Sequence, residues 1–149
     1  MQEQSPPVDT ARNAPAPVAQ RAIVIGVAVI AALLIWLIAD PIAGVTLEAD
    51  TGNDNIQRIG LIAIIVVTTL AGLLGWGLLA LLERMTSRAR TIWLVLSVIL
   101  LLVSLLGAWG GTSTGARATL LAMHLAVGTI LIAGFLLTPG SRGDASGSG

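Results

Sequence analysis

The sequence predicts an all-α, four-helix transmembrane bundle with both termini on the cytoplasmic side and disordered tails at either end. Three observations carry that expectation. The 149 residues are 55% hydrophobic and only 11% charged, whereas a soluble domain needs about 25% charged residues to coat a wet surface. Four long apolar runs occupy residues 21–39, 59–82, 91–109 and 118–138. None has a charge at its centre, where one would cost about 2.5–3.5 kcal/mol on insertion scales. A hydrocarbon core about 30 Å thick needs about 20 helical residues, close to the length of each run.

Composition also excludes several chemistries. No cysteine is present, which removes disulfides, thiol redox chemistry and cysteine-based metal sites together. Formal net charge is zero, and all eight basic residues are arginine. No basic nucleic-acid footprint is visible, so the lipid bilayer is the expected partner, with other membrane proteins or further copies of the chain as candidates. Neither a cofactor nor a metal set is expected.

Residues 1–20, "MQEQSPPVDTARNAPAPVAQ", are expected to be a disordered cytoplasmic tail, because so polar and proline-rich a segment buries too little to offset chain entropy. Its length and the lack of a small-x-small cleavage site argue against a secretory signal. The first run ends at "AD" and Pro41, where the helix is expected to stop. The outer loop, residues 40–58, carries four acids and one arginine. Its "GVTLEA" suits a short strand or cap. "DTGNDN" lacks the 12-residue spacing and terminal Glu of an EF-hand, leaving a solvated turn.

The short connection "ERMTSRAR" makes the second and third helices an antiparallel hairpin, and "GGTSTGAR" makes the next turn tight. Residues 139–149 form a flexible tail. Orientation follows from arginines: Arg12, Arg21, Arg84, Arg88, Arg90 and Arg142 fall on one side, Arg58 and Arg117 on the other. The positive-inside rule then places both termini in the cytoplasm, in a multi-pass plasma-membrane protein. Trp36, Trp76, Trp93 and Trp109 lie near helix ends, where indoles favour the headgroup boundary.

Small residues mark the expected helix contacts. Thr68, Gly72 and Trp76 share a spacing of four, as do Ala71 and Gly75, and Ala118, Ala122 and Ala126 repeat it. Such faces let membrane helices approach closely. Asp40, Glu83 and Arg84 sit at helix ends and read as interfacial anchors, with no buried charge pair.

Polar residues within the runs are Thr68, Thr69, Ser97, Ser104, His124 and Thr129. Depth along the helices allows His124, Ser104 and Thr68 to meet in the outer half, with Arg117 at the mouth. A Ser–His hydrolase would need an oxyanion hole and water, and no signature of either is present. Bis-histidine haem ligation needs a second histidine. The structural reading of His124 is a neutral imidazole hydrogen-bonded across helices, worth about 1 kcal/mol of helix association.

"GLLGWGLLALLER", "RTIWLVLSVILLLVSLLG", "LLAMHLAVGTILI" and the outer "PIAGVTLEA" resemble a family of small four-helix membrane proteins from actinobacteria, a domain family of unknown function. The resemblance spans about residues 20–137. It implies membrane residence and fold, and supplies no catalytic residues. The leading expectation is a non-enzymatic interaction or accessory component of the plasma membrane. A carrier for a small apolar or lipid-like ligand is the alternative, and an intramembrane enzyme using Ser104 and His124 is the third.

Overall fold

A computed structural model of the chain describes residues 17–50 and 56–138. Four helices form: α1 Pro17–Leu37, α2 Leu61–Met85, α3 Ala89–Gly107 and α4 Thr114–Leu137. Each is long and apolar enough to cross a membrane, the architecture of a multi-pass membrane protein. Their apolar residues form no narrow stripe, and most large side chains outside the bundle core face outward, as lipid-facing helices require. Residues 1–16 and 139–149, most of both expected tails, lie outside the described residues, as does most of "DTGNDN".

Several ends differ from the sequence expectation. Residues 17–20, expected in the tail, are the first turn of α1, because Pro17 falls at the helical position that tolerates a missing N–H. Pro41 does not stop the helix. It lies inside a π-helical turn, Ile38–Ile42, that continues α1. The chain reverses only at Gly44, where φ is +70°, a backbone conformation glycine adopts without strain. Helix α4 starts four residues before residue 118, at Thr114, because the Ser113 hydroxyl caps it by accepting from Ala116 N at 3.1 Å.

The outer loop is partly ordered as a small hairpin. Strands β1 Glu48–Asp50 and β2 Ile56–Arg58 pair antiparallel, with Glu48 opposite Arg58 and Asp50 opposite Ile56. Ala49 bridges to Gly111, and Thr112 N donates to Glu48 O at 3.2 Å. The hairpin is thereby tied to the α3–α4 connection. Asp40 fixes its root by accepting from Leu47 N at 3.2 Å and from Arg58 at 3.4 Å. Leu47, fully buried, plugs the end of the bundle against a cluster that includes Ala32, Ile64, Ala108, Leu120 and Met123.

The helices run up and down in a ring, each packed on its sequence neighbours and α1 closing on α4, with α2 and α4 also touching. Glycines set the close approaches. A Cβ on Gly72 would lie 2.8 Å from Ile25 Cγ1, and one on Gly128 2.5 Å from Leu101 Cδ1. A Cβ on Gly134 would collide with Val24, and one on Gly75 would rest 3.5 Å from Phe135. The alanine stripe of α4 plays a different part from the one its spacing predicts. Ala118 and Ala122 are exposed and Ala126 is half-buried, so α4 meets its neighbours most closely at Gly128 and Gly134.

Candidate functional site

The polar residues singled out by sequence do not join into one hydrogen-bonded group. Packing of Leu101 on Gly128 sets the antiparallel register of α3 and α4. Three residues on from Leu101, Ser104 lies level with Leu125, beside His124 in depth. Each nevertheless bonds to its own helix, in place of the bond across helices expected for His124. Ser104 Oγ donates to Leu101 O at 2.8 Å. His124 Nδ1 lies 2.7 Å from Leu120 O. A carbonyl can only accept, so Nδ1 carries the hydrogen, and a neutral ring keeps Nε2 as an acceptor.

Thr68, on α2, is buried at 7% exposure and turned toward the inside of the bundle. Arg117 is exposed at the mouth and donates through Nε to Gly111 O at 2.8 Å. Seven residues separate it from His124, about 10 Å along the helix. Among the described residues, no hydrogen bond joins His124, Ser104, Thr68 and Arg117 to one another, and no group of three metal-ligating side chains gathers.

The strongest polar arrangement lies at the opposite end, where α1 and α3 begin and α2 and α4 finish. Arg21, only 2% exposed, donates from Nη2 to both oxygens of Glu83, at 2.9 Å and 3.0 Å. The expectation that Glu83 is a plain interfacial anchor, and that no charge pair is buried, is corrected here. One signal was available: the first turn of α1 and the last turn of α2 must share a side, and they carry opposite charges. Arg21 Nε, also buried, has no partner among the described residues.

Two further bonds tie this end together. Arg90 donates to Thr138 O at 3.0 Å, using a side-chain cation at the carbonyl end of α4, where the helix dipole favours it. The Trp93 indole N–H donates to Gly75 O at 3.0 Å, and the Trp93 ring packs edge-on against Phe135 with centroids 5.8 Å apart. Trp93 is 2% exposed, so it is a core residue and does not face headgroups. Trp109, at the other end, is 64% exposed and does face outward.

One more polar atom is left without a partner among the described residues. Trp36 Nε1 is buried and unbonded, while the ring packs against the Leu47 cluster. An indole N–H withdrawn from water usually finds an acceptor. This donor meets none among the described residues.

The arrangement offers two features: an arginine-rich end locked by a buried ion pair, and a buried indole donor near the capped end. No curated protein and no solved structure matches the chain. A family model matches residues 12–139, and the chain belongs to that family, DUF6069, a family of unknown function.

Proposed function

We propose that the protein is a non-enzymatic accessory or interaction component of the plasma membrane, with both termini cytoplasmic. The observation that supports it is local bonding: Ser104 Oγ–H and His124 Nδ1–H are each spent on a carbonyl of their own helix. A serine whose hydrogen is held this way is not set up for transfer to a histidine base. The four-helix scaffold and the outer hairpin then present surfaces to other membrane proteins. The orientation rests on the arginines, with Arg21, Arg84, Arg88 and Arg90 at one end and Arg58 and Arg117 at the other. An arginine-only basic set in an alanine- and glycine-rich chain supports an actinobacterial, GC-rich source.

Cross-linking in native membranes, followed by purification of the full chain in mild detergent, tests the reading. A stoichiometric membrane-protein partner that persists with His124→Leu and Ser104→Ala is expected. Purification of the chain alone, with hydrolytic turnover lost in Ser104→Ala, would replace it with the enzyme reading.

One observation favours the carrier reading instead. The Trp36 indole N–H is buried without an acceptor among the described residues, and a ligand with one acceptor atom on an apolar body would satisfy it. Extraction of a defined small lipid from purified protein, lost in Trp36→Phe, would move the assignment to a carrier.

A further inference from the structure

At the arginine-rich end, the described residues include Arg21, Arg84, Arg88 and Arg90 against a single acid, Glu83. Glu83 is taken by Arg21. Arg90 is positioned by the Thr138 carbonyl, which holds the side chain without neutralising it. Arg84 and Arg88 are exposed. Three arginines at this end are thus left without a carboxylate among the described residues, on either side of one tight turn. The same turn supplies dipole as well as charge. Helix α3 begins here with no side chain capping it, so its first amides add positive potential beside Arg88.

The surface leading away from these arginines is apolar. Leu81 and Met85 on α2 are 54% and 74% exposed, and Ile92 and Val95 on α3 are 40% and 53% exposed. A cationic end joined to an apolar face matches an amphiphile with an anionic head and hydrocarbon tails. A nucleic acid or an acidic peptide would use the first part and leave the second uncovered.

We infer that the α2–α3 turn binds the phosphate headgroup of an anionic phospholipid, with Arg84 and Arg88 as the contacting side chains and the acyl chains along α2 and α3. Arg90, anchored on α4, and the uncapped first turn of α3 provide fixed positive potential behind them. Guanidinium groups suit this ligand because their planar donors pair with phosphate oxygens two at a time. The Arg21–Glu83 pair keeps Glu83, the one carboxylate at this end among the described residues, from competing for Arg84 and Arg88. The site requires that this end meets a membrane surface, and does not depend on which leaflet that is or on the accessory role proposed above.

The test is native mass spectrometry of the full chain in detergent, titrated with phosphatidylglycerol and with phosphatidylcholine of identical acyl chains. Expected is a clear preference for phosphatidylglycerol that falls about fivefold for each arginine removed in Arg84→Gln and Arg88→Gln, the weight of one arginine near an anionic surface. Both side chains are exposed, so the variants should keep the fold, checked by an unchanged helical circular-dichroism spectrum and thermal midpoint in the same detergent. The outer-end variant Arg58→Gln/Arg117→Gln should retain the preference. Glycerol phosphate, which has the head without the tails, should fail to displace the lipid at equal concentration. Equal binding of the two lipids would overturn the inference, as would a preference that survives in Arg84→Gln/Arg88→Gln. Displacement by glycerol phosphate would overturn it in favour of a soluble phosphate ligand.

Discussion

Arg21 reaches from the first turns of α1 to the last turn of α2 and grips both oxygens of Glu83 with one nitrogen. The two residues lie 62 positions apart in sequence, yet they fix the relative height of the first two helices. Apolar helices in lipid slide past one another with little change in buried surface, since lipid tails are as apolar as leucine. A charge pair at one end supplies the register that side-chain hydrophobicity cannot.

Breaking that pair from either side should therefore be costly. Arg21→Leu leaves Glu83 with no cation, and Glu83→Leu leaves a buried guanidinium unpaired. Loss of one partner of a buried pair costs about 3–5 kcal/mol. Glu83 keeps 20% exposure, so water will reduce the loss for Arg21→Leu in particular. The double variant Arg21→Leu/Glu83→Leu should recover much of the loss, because an apolar pair carries no desolvation penalty. Unfolding of all three variants in detergent checks this. Additive losses in the double variant would show that the pair contributes no coupling.

Glycine substitutions should separate packed from lipid-facing positions. A methyl on Gly134 meets the stiff Val24 side chain, and one on Gly72 meets Ile25 at 2.8 Å, whereas Gly26 and Gly77 have nothing within 4 Å. Gly134→Ala and Gly72→Ala should lose about 1–3 kcal/mol through overpacking. Gly26→Ala should be neutral or gain up to about 1 kcal/mol from helix propensity. Gly128→Ala should fall between them, since the obstructing atom is the mobile tip of Leu101. Thermal stability in one detergent ranks the four.

The helices were legible because hydropathy and length suffice for lipid-spanning segments, and all four fall within a few residues of their expected ranges. Their contacting faces were harder. A helix apolar all round gives no periodic cue to its inward side, so the evenly spaced Ala118 and Ala122 read as packing residues although they face out. Gly128 and Gly134, which make the contacts, share no comparable spacing with a partner. The buried pair was hidden for a different reason. A charge at a helix end is cheap whether or not it is paired, and only the matched ends of α1 and α2 show that Arg21 and Glu83 meet. Likewise, Trp93 has the position of a headgroup tryptophan, and only Gly75 on the facing helix turns it inward.

His124 should show one tautomer. The Leu120 carbonyl at 2.7 Å holds hydrogen on Nδ1, so nitrogen NMR of the labelled ring in lipid should give a protonated Nδ1. The opposite pattern would mean that another group, on another helix, takes the ring. Because the bond lies within α4, His124→Leu should cost only about 1 kcal/mol. A larger loss in detergent would show that the ring joins helices.

The proposed orientation can be read with single cysteines, since the chain has none of its own. Thr112 lies at the hairpin end and Ser87 in the α2–α3 turn, and both side chains are exposed. Thr112 is preferable to its neighbour Ser113, whose hydroxyl caps α4 and whose loss would cost about 1 kcal/mol. Thr112→Cys should react with a membrane-impermeant thiol reagent in intact cells, and Ser87→Cys only after permeabilisation. The four arginines around Ser87 oppose two near Thr112, an asymmetry that retains arginine on the cytoplasmic side during insertion. Labelling of Ser87→Cys in intact cells would place the arginine-rich end outside and reverse the proposed topology.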